Sequence, residues 1–149
     1  MVRIAVTRPR LRTQMIERID HIVLNCRDIE DTAAWYERAL GFERVSYASP
    51  AAPGERVALK FGPHKFNLRR TGDPDWQTCK VDAPGSLDLC FITEGRLKPV
   101  IERLNAAGIP ITAGPVPRAG ALGPMTSIYC HDPDGNLVEV ATYASDPMS

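Results

Sequence analysis

The chain has 149 residues, 44% of them apolar and 24% charged, a balance that suits one soluble domain with a real core. Eighteen basic residues cancel eighteen acidic ones, so no overall field draws the protein to nucleic acid or to a membrane surface. No apolar run reaches the roughly 18–20 residues of a spanning helix.

The opening stretch, MVRIAVTRPRLRTQMI, holds four arginines and no acid. Pro9 interrupts any amphipathic helix and there is little serine, so residues 1–16 read as a loose basic arm rather than a transit peptide. Next, IDHIVLNC alternates, with Ile19, His21, Val23 and Asn25 on one face and Asp20, Ile22, Leu24 and Cys26 on the other, which predicts a strand. RDIEDTAAWYERALGF predicts a helix: Asp28 is a cap with Asp31 three residues on, and Ile29, Ala33, Trp35, Tyr36, Ala39 and Leu40 are helically spaced up to Gly41. ERVSYA, RVALKF and KFNLRR read as strands, with the Pro/Gly-rich SPAAPGE as a loop between the first two.

The second half repeats the plan. SLDLCFIT reads as a strand, GRLKPVIERLNAAG as a helix ending at Gly108, and IPITAG, MTSIYCH and NLVEVATY as strands. GPVPRAGALGP carries no phosphate-cradle signature and reads as a mobile loop over a cavity mouth; DPDGN reads as a turn with solvated aspartates. Superposing Gly41 on Gly108 also places His21 on Asp88. The chain is thus expected to be a single α+β domain over residues 17–143, made of two β-α-β-β-β units at about 17–70 and 86–143, with a tail at 144–149. Two such units suit curved mixed sheets around a cavity. Aligning FGPHKFNLR with HDPDGNLVE sets Arg69 against Glu139 and gathers His21, Arg69, Asp88 and Glu139 on the concave face.

Glu139 is a puzzle, because it interrupts an apolar strand of Leu137, Val138, Val140 and Ala141. An unpaired buried carboxylate is costly, so it must face water or meet a positive partner.

DHIVL, WYERALGF and IYCHDPDGNLVEV, in that order in a β-α-β-β-β tandem, resemble the vicinal oxygen chelate superfamily of glyoxalases, fosfomycin-modifying enzymes, extradiol dioxygenases and bleomycin-resistance proteins. PGSLDLCFIT and GPVPRAGALGPMTSIYCHDPDGNLVEV are most similar to its bacterial virulence-associated branch, which also holds glyoxalase-domain-containing protein 5. The resemblance implies a divalent ion on the concave face, held by His21 and Glu139 with Asp88 as a third ligand. Such a ligand set suits Fe, Mn, Ni or Zn. Arg69 departs from the branch, which carries histidine there; a guanidinium cannot ligate a metal. It could pair with Glu139 or Asp88 in place of an ion, or bind substrate beside one.

Tyr129 stands ten residues before Glu139, the spacing of the tyrosine that contacts substrate in the ring-cleaving dioxygenases, and a phenol can donate to a developing oxyanion. Arg118 is a candidate partner for an anionic substrate. The expectation is a metal-dependent lyase or dioxygenase acting on a small oxygen-rich or anionic molecule. The alternative is a metal-free protein that sequesters a small molecule. Small members of the family commonly dimerise, which implies a homodimer with unit one of one chain facing unit two of the other. The four cysteines show no C-x-x-C spacing and nothing marks a signal peptide, so reduced thiols and a cytoplasmic location are expected.

Overall fold

The structure is a computed structural model that describes residues 15–149. The basic arm expected over residues 1–16 lies outside these residues, except for Met15 and Ile16. The elements run β1 (His21–Cys26), α1 (Ile29–Leu40), β2 (Glu43–Ser49), β3 (Ala52–Phe61), β4 (His64–Arg70), β5 (Asp88–Ile92), α2 (Lys98–Ala106), β6 (Ala113–Gly120), β7 (Gly123–His131) and β8 (Leu137–Thr142). They form two four-stranded mixed sheets of the same plan, ordered β1-β4-β3-β2 and β5-β8-β7-β6. In each, the first and last strands of the unit pair in parallel and the other pairs are antiparallel. No helix among the described residues is long and apolar enough to cross a membrane.

Alternation decides which face of each sheet is inside. Ile22, Leu24 and Cys26 of β1 and Phe66 and Leu68 of β4 turn toward α1, while His21, Val23 and Asn25 turn the other way. In unit two Leu89, Val138, Val140, Ile128 and Cys130 form the inner face, and Asp88, Cys90, Glu139 and Tyr129 the outer. α1 starts as its sequence directs: Asp28 is extended and its carboxylate accepts from Asp31 N at 3.0 Å. It ends at Gly41, whose φ of 71° is left-handed. The Arg103 guanidinium from α2 donates to the Glu37 and Arg38 carbonyls at 2.9 Å, placing a cation on the negative end of α1.

The two units share one core. All four phenylalanines lie in it: Phe42 stacks on Phe61 at 4.4 Å, and Phe91 of β5 meets Phe61 and Phe66 edge-on or tilted at 5.4 and 5.7 Å. The outer faces are therefore poor in aromatic surface.

Three local expectations are corrected. The loop expected at SPAAPGE shrinks to a tight turn, because β3 begins at Ala52 and pairs back on β2 through a register shift at Ala48/Ser49. GPVPRAG is the edge strand β6, not a mobile loop, and residues 109–112 lie outside any strand. Pro115 and Pro117 can sit there because an edge strand tolerates a missing donor. Gly114 (φ 94°) crosses so close to β7 that a Cβ would overlap the Ser127 carbonyl oxygen.

The third correction concerns DPDGN. Asp132, Asp134 and Asn136 are buried, not solvated. Asp132 Oδ1 accepts from the backbone N–H groups of Asp134 and Asn136, and Oδ2 from Tyr36 Oη at 2.9 Å and Asn136 Nδ2 at 2.7 Å. Asp134 accepts from Arg27 N and from Thr32 Oγ1. Proline and glycine make the turn, but its carboxylates fasten unit two onto the start of α1.

Candidate functional site

On the outer face of unit two, pairing aligns Cys90 (β5), Glu139 (β8), Tyr129 (β7) and Ala113 (β6) in one row. A cavity of about 370 Å³ opens over it, lined by Asp88, Arg118, Tyr129 and Glu139 among others. Four of the six residues expected at the site therefore meet.

Glu139 is 9% exposed, and its Oε2 is a buried oxygen without a hydrogen-bond partner. Leaving a charged acceptor unsatisfied carries the full desolvation cost, so this atom is a place where a ligand would be stabilised. Arg118 Nε donates to Tyr129 Oη at 2.9 Å, and the guanidinium lies 5.4 Å from the ring centre. The phenol oxygen thus accepts from Arg118 and keeps its own proton to donate into the cavity. Cys90 was not anticipated. Burial, then the charge of Glu139 and a hydrogen bond with it, push its thiol up to about 11.

His21 lies elsewhere in the chain, beside a smaller cavity of about 190 Å³ whose lining includes Phe61, Leu89 and Cys90 but neither Asp88 nor Glu139. Its Nδ1 is 2.8 Å from Asp20 Oδ1. That contact, followed by the charge of Arg18, holds the Asp20 carboxyl below its ordinary value. An ionised carboxylate only accepts, so Nδ1 carries a proton, and Nε2 is the nitrogen that a neutral imidazole offers as a ligand. A carboxylate behind a histidine is the usual support for a metal-binding imidazole. The donor chemistry of His21 and the orphaned Glu139 oxygen therefore both fit a divalent ion. Yet among the described residues no three His, Cys, Asp or Glu side chains lie together to hold one.

The strand registers also revise the alignment of the two units. His21 pairs with Lys65 and Asp88 with Leu137, so two residues further on Val23 pairs with Asn67 and Cys90 with Glu139. The counterpart of Glu139 in unit one is Asn67, not Arg69. Like Glu139, Asn67 is buried with an unpartnered side-chain oxygen, Oδ1.

Arg69, expected to neutralise Glu139 or meet substrate, is 2% exposed and engaged with Asn25 of its own unit and with the segment that follows it. Nη1 donates to Asp82 Oδ1 at 2.6 Å and Asn25 Oδ1 at 3.1 Å, Nη2 to the Asp73 carbonyl and Nε to the Trp76 carbonyl. It fastens the segment linking the units. The hydrogen bond from Arg69, reinforced by Gly72 N, holds the Asp82 carboxyl below its ordinary range. A depressed carboxyl contributes stability at pH above its unfolded value and loses it as pH falls through the folded value. Acid titration of stability should therefore show a limb below pH 3.8 that Asp82→Asn removes; an unaltered limb would show that the pair contributes nothing.

The duplicated sheets, with the outer faces just described, define a glyoxalase-type domain. The chain belongs to the Glyoxalase/Bleomycin resistance protein/Dioxygenase superfamily, whose profile matches residues 18–140. It is 43% identical over 129 residues to virulence protein STM3117 of Salmonella typhimurium (strain LT2), covering 87% of this chain and 86% of that one. The crystal structure of STM3117 superposes with a TM-score of 0.79 at 42% identity, over 88% of this chain and all (100%) of the other. An integron cassette protein of V. cholerae gives a TM-score of 0.81 at 41% identity, over 88% and 98%. The glyoxalase domain-containing protein RDO1 of Mycosarcoma maydis is 38% identical over 132 residues, 89% of this chain and 72% of RDO1. Lactoylglutathione lyase of Agrobacterium tumefaciens (TM-score 0.65, 23% identity, 87% and 96% covered) shares the fold alone, as does the antibiotic-binding protein TnmS3 of Streptomyces sp. CB03234 (0.66, 19%, 88% and 99%).

Proposed function

We propose that the protein is a metal-dependent lyase or dioxygenase acting on a small oxygen-rich or anionic molecule, with its site completed between two copies of the chain. The carrying observation is the buried, unpartnered Oε2 of Glu139 over a cavity that also presents Asp88, Arg118 and Tyr129. In this reading His21 of one protomer joins Glu139 and Asp88 of the other, because the three do not converge within one chain. A divalent ion (Fe, Mn, Ni or Zn) bound there supplies Lewis-acid stabilisation of an oxyanion on the substrate.

The chain's own groups do the rest. Arg118 fixes the Tyr129 phenol so that its proton points at a developing oxyanion, and its free guanidinium face attracts an anionic substrate. Asn67 offers a neutral acceptor at the place where a second carboxylate could have stood. Metal-free sequestration of a small molecule is less well supported, because the phenylalanines are spent in the core.

Elemental analysis of protein purified without added metal tests the reading. A divalent ion is expected at about one per chain, lost in His21→Ala and in Glu139→Gln, and chelation should lower Tm, since ligand binding stabilises only the folded state. Native protein that is metal-free and indifferent to chelator would favour the metal-free binding alternative.

A further inference from the structure

We infer that the outer face of unit one carries an anion-binding subsite, built from Lys60 and Lys65 with Tyr47, that takes a doubly charged phosphate or phosphonate group of the substrate. Lys60 of β3 and Lys65 of β4 are direct partners in an antiparallel pair and point to the same face. Like charges placed directly opposite are destabilising, so a fold gains nothing from such a pair unless an anion lies between them. A cavity of about 490 Å³ opens there, lined by both lysines and Tyr47. The Lys65 ammonium is held 4.4 Å above the Tyr47 ring, which fixes its position without neutralising it.

The neighbouring acids compensate the lysines only in part: Asp20 lines the same cavity and feels the charge of Lys65 without pairing with it. Asp20 is committed to His21 and Arg18, and Glu43, the partner of Lys60 on β2, forms no ion pair with it. Neither lysine takes part in an ion pair among the described residues. Nor does the architecture demand this charge. The equivalents of Lys65 and Lys60 in the duplicated unit are Leu137 and its partner His131, and that sheet forms equally well.

Register also places the subsite. The row runs His21, Lys65, Lys60, Glu43, so the anion would be held beside the imidazole assigned to the metal. The inference rests on the reading above only in taking this face as the substrate's. A dianion is favoured over a carboxylate because two lysines line one cavity.

Calorimetric titration with inorganic phosphate at constant ionic strength tests it. Native protein should bind phosphate at least roughly tenfold more tightly than Lys60→Met or Lys65→Met, and the double variant should show no binding. Acetate should bind native protein roughly tenfold more weakly than phosphate. Without phosphate, Lys60→Met should melt no lower than native, since a repulsion has been relieved. Undiminished affinity in the double variant, no binding by native protein, or equal binding of acetate would each overturn the assignment. Phosphate binding by native protein that is abolished by chelation, with both lysines in place, would mean that phosphate sits on the metal and would also overturn it. Metal-free native protein that still binds phosphate through the lysines would defeat the metal reading alone.

Discussion

Mixing His21→Ala protein with Glu139→Gln protein should restore metal binding that neither variant shows alone. In a two-fold dimer whose sites are shared, a heterodimer holds one site with both ligands intact and one with both removed. Isolated heterodimers should then carry about half the native metal content, and an unsorted equimolar mixture about a quarter. The measurement is metal content after the two variants are unfolded together, refolded and desalted. If each chain completed its own site, no mixture could recover any metal. A monomer at working concentration would defeat the arrangement at once.

The largest stability effect should come from Asp132→Ala. It strips the acceptor from four donors in one buried turn: two backbone N–H groups, Tyr36 Oη and Asn136 Nδ2. A buried donor left unsatisfied costs about 1–3 kcal/mol, and water entering the gap recovers part of that, so a loss of about 4 kcal/mol or more is expected. That is a large share of the roughly 5–15 kcal/mol that holds a domain folded. Urea unfolding reads it directly. A loss under about 1 kcal/mol would show that the turn is not a fastening between the units.

The architecture was legible because periodicity and caps are local. Asp28, Gly41 and Gly108 mark helix ends through backbone preferences that need no partner. β6 was not, because Pro115 and Pro117 carry the ordinary signature of a loop and only a strand's place at the sheet edge makes them acceptable. The buried aspartates were hidden for a similar reason: their donors, Tyr36, Thr32 and Arg27, lie about a hundred residues away in the chain. At the site, the family resemblance reached Glu139, Asp88 and Tyr129, and the place of Arg118 over an expected cavity mouth added a fourth; the four do share a cavity. Arg69 was misplaced by an alignment that matched the turns before the last strands and overlooked their differing lengths. Only the cross-strand registers, which set Lys65 beside His21 and Leu137 beside Asp88, bring Asn67 forward. The lysine pair needs cross-strand register, which no single strand reveals.

Duplication has left the two sheet faces with opposite chemistry: His21, Lys65 and Lys60 on one, Asp88, Glu139 and Tyr129 on the other. An assembly that stacked like faces would confront ammonium with ammonium or carboxylate with carboxylate, at a cost that opposes it. Unlike faces would attract, so in the proposed dimer each protomer would carry the instruction for which half of its neighbour to accept. The same polarity would reach the guest. A molecule with an anionic end and an oxygen-rich end has one energetically sensible way to lie between such walls, and the chemistry would then fall on the same carbon every time.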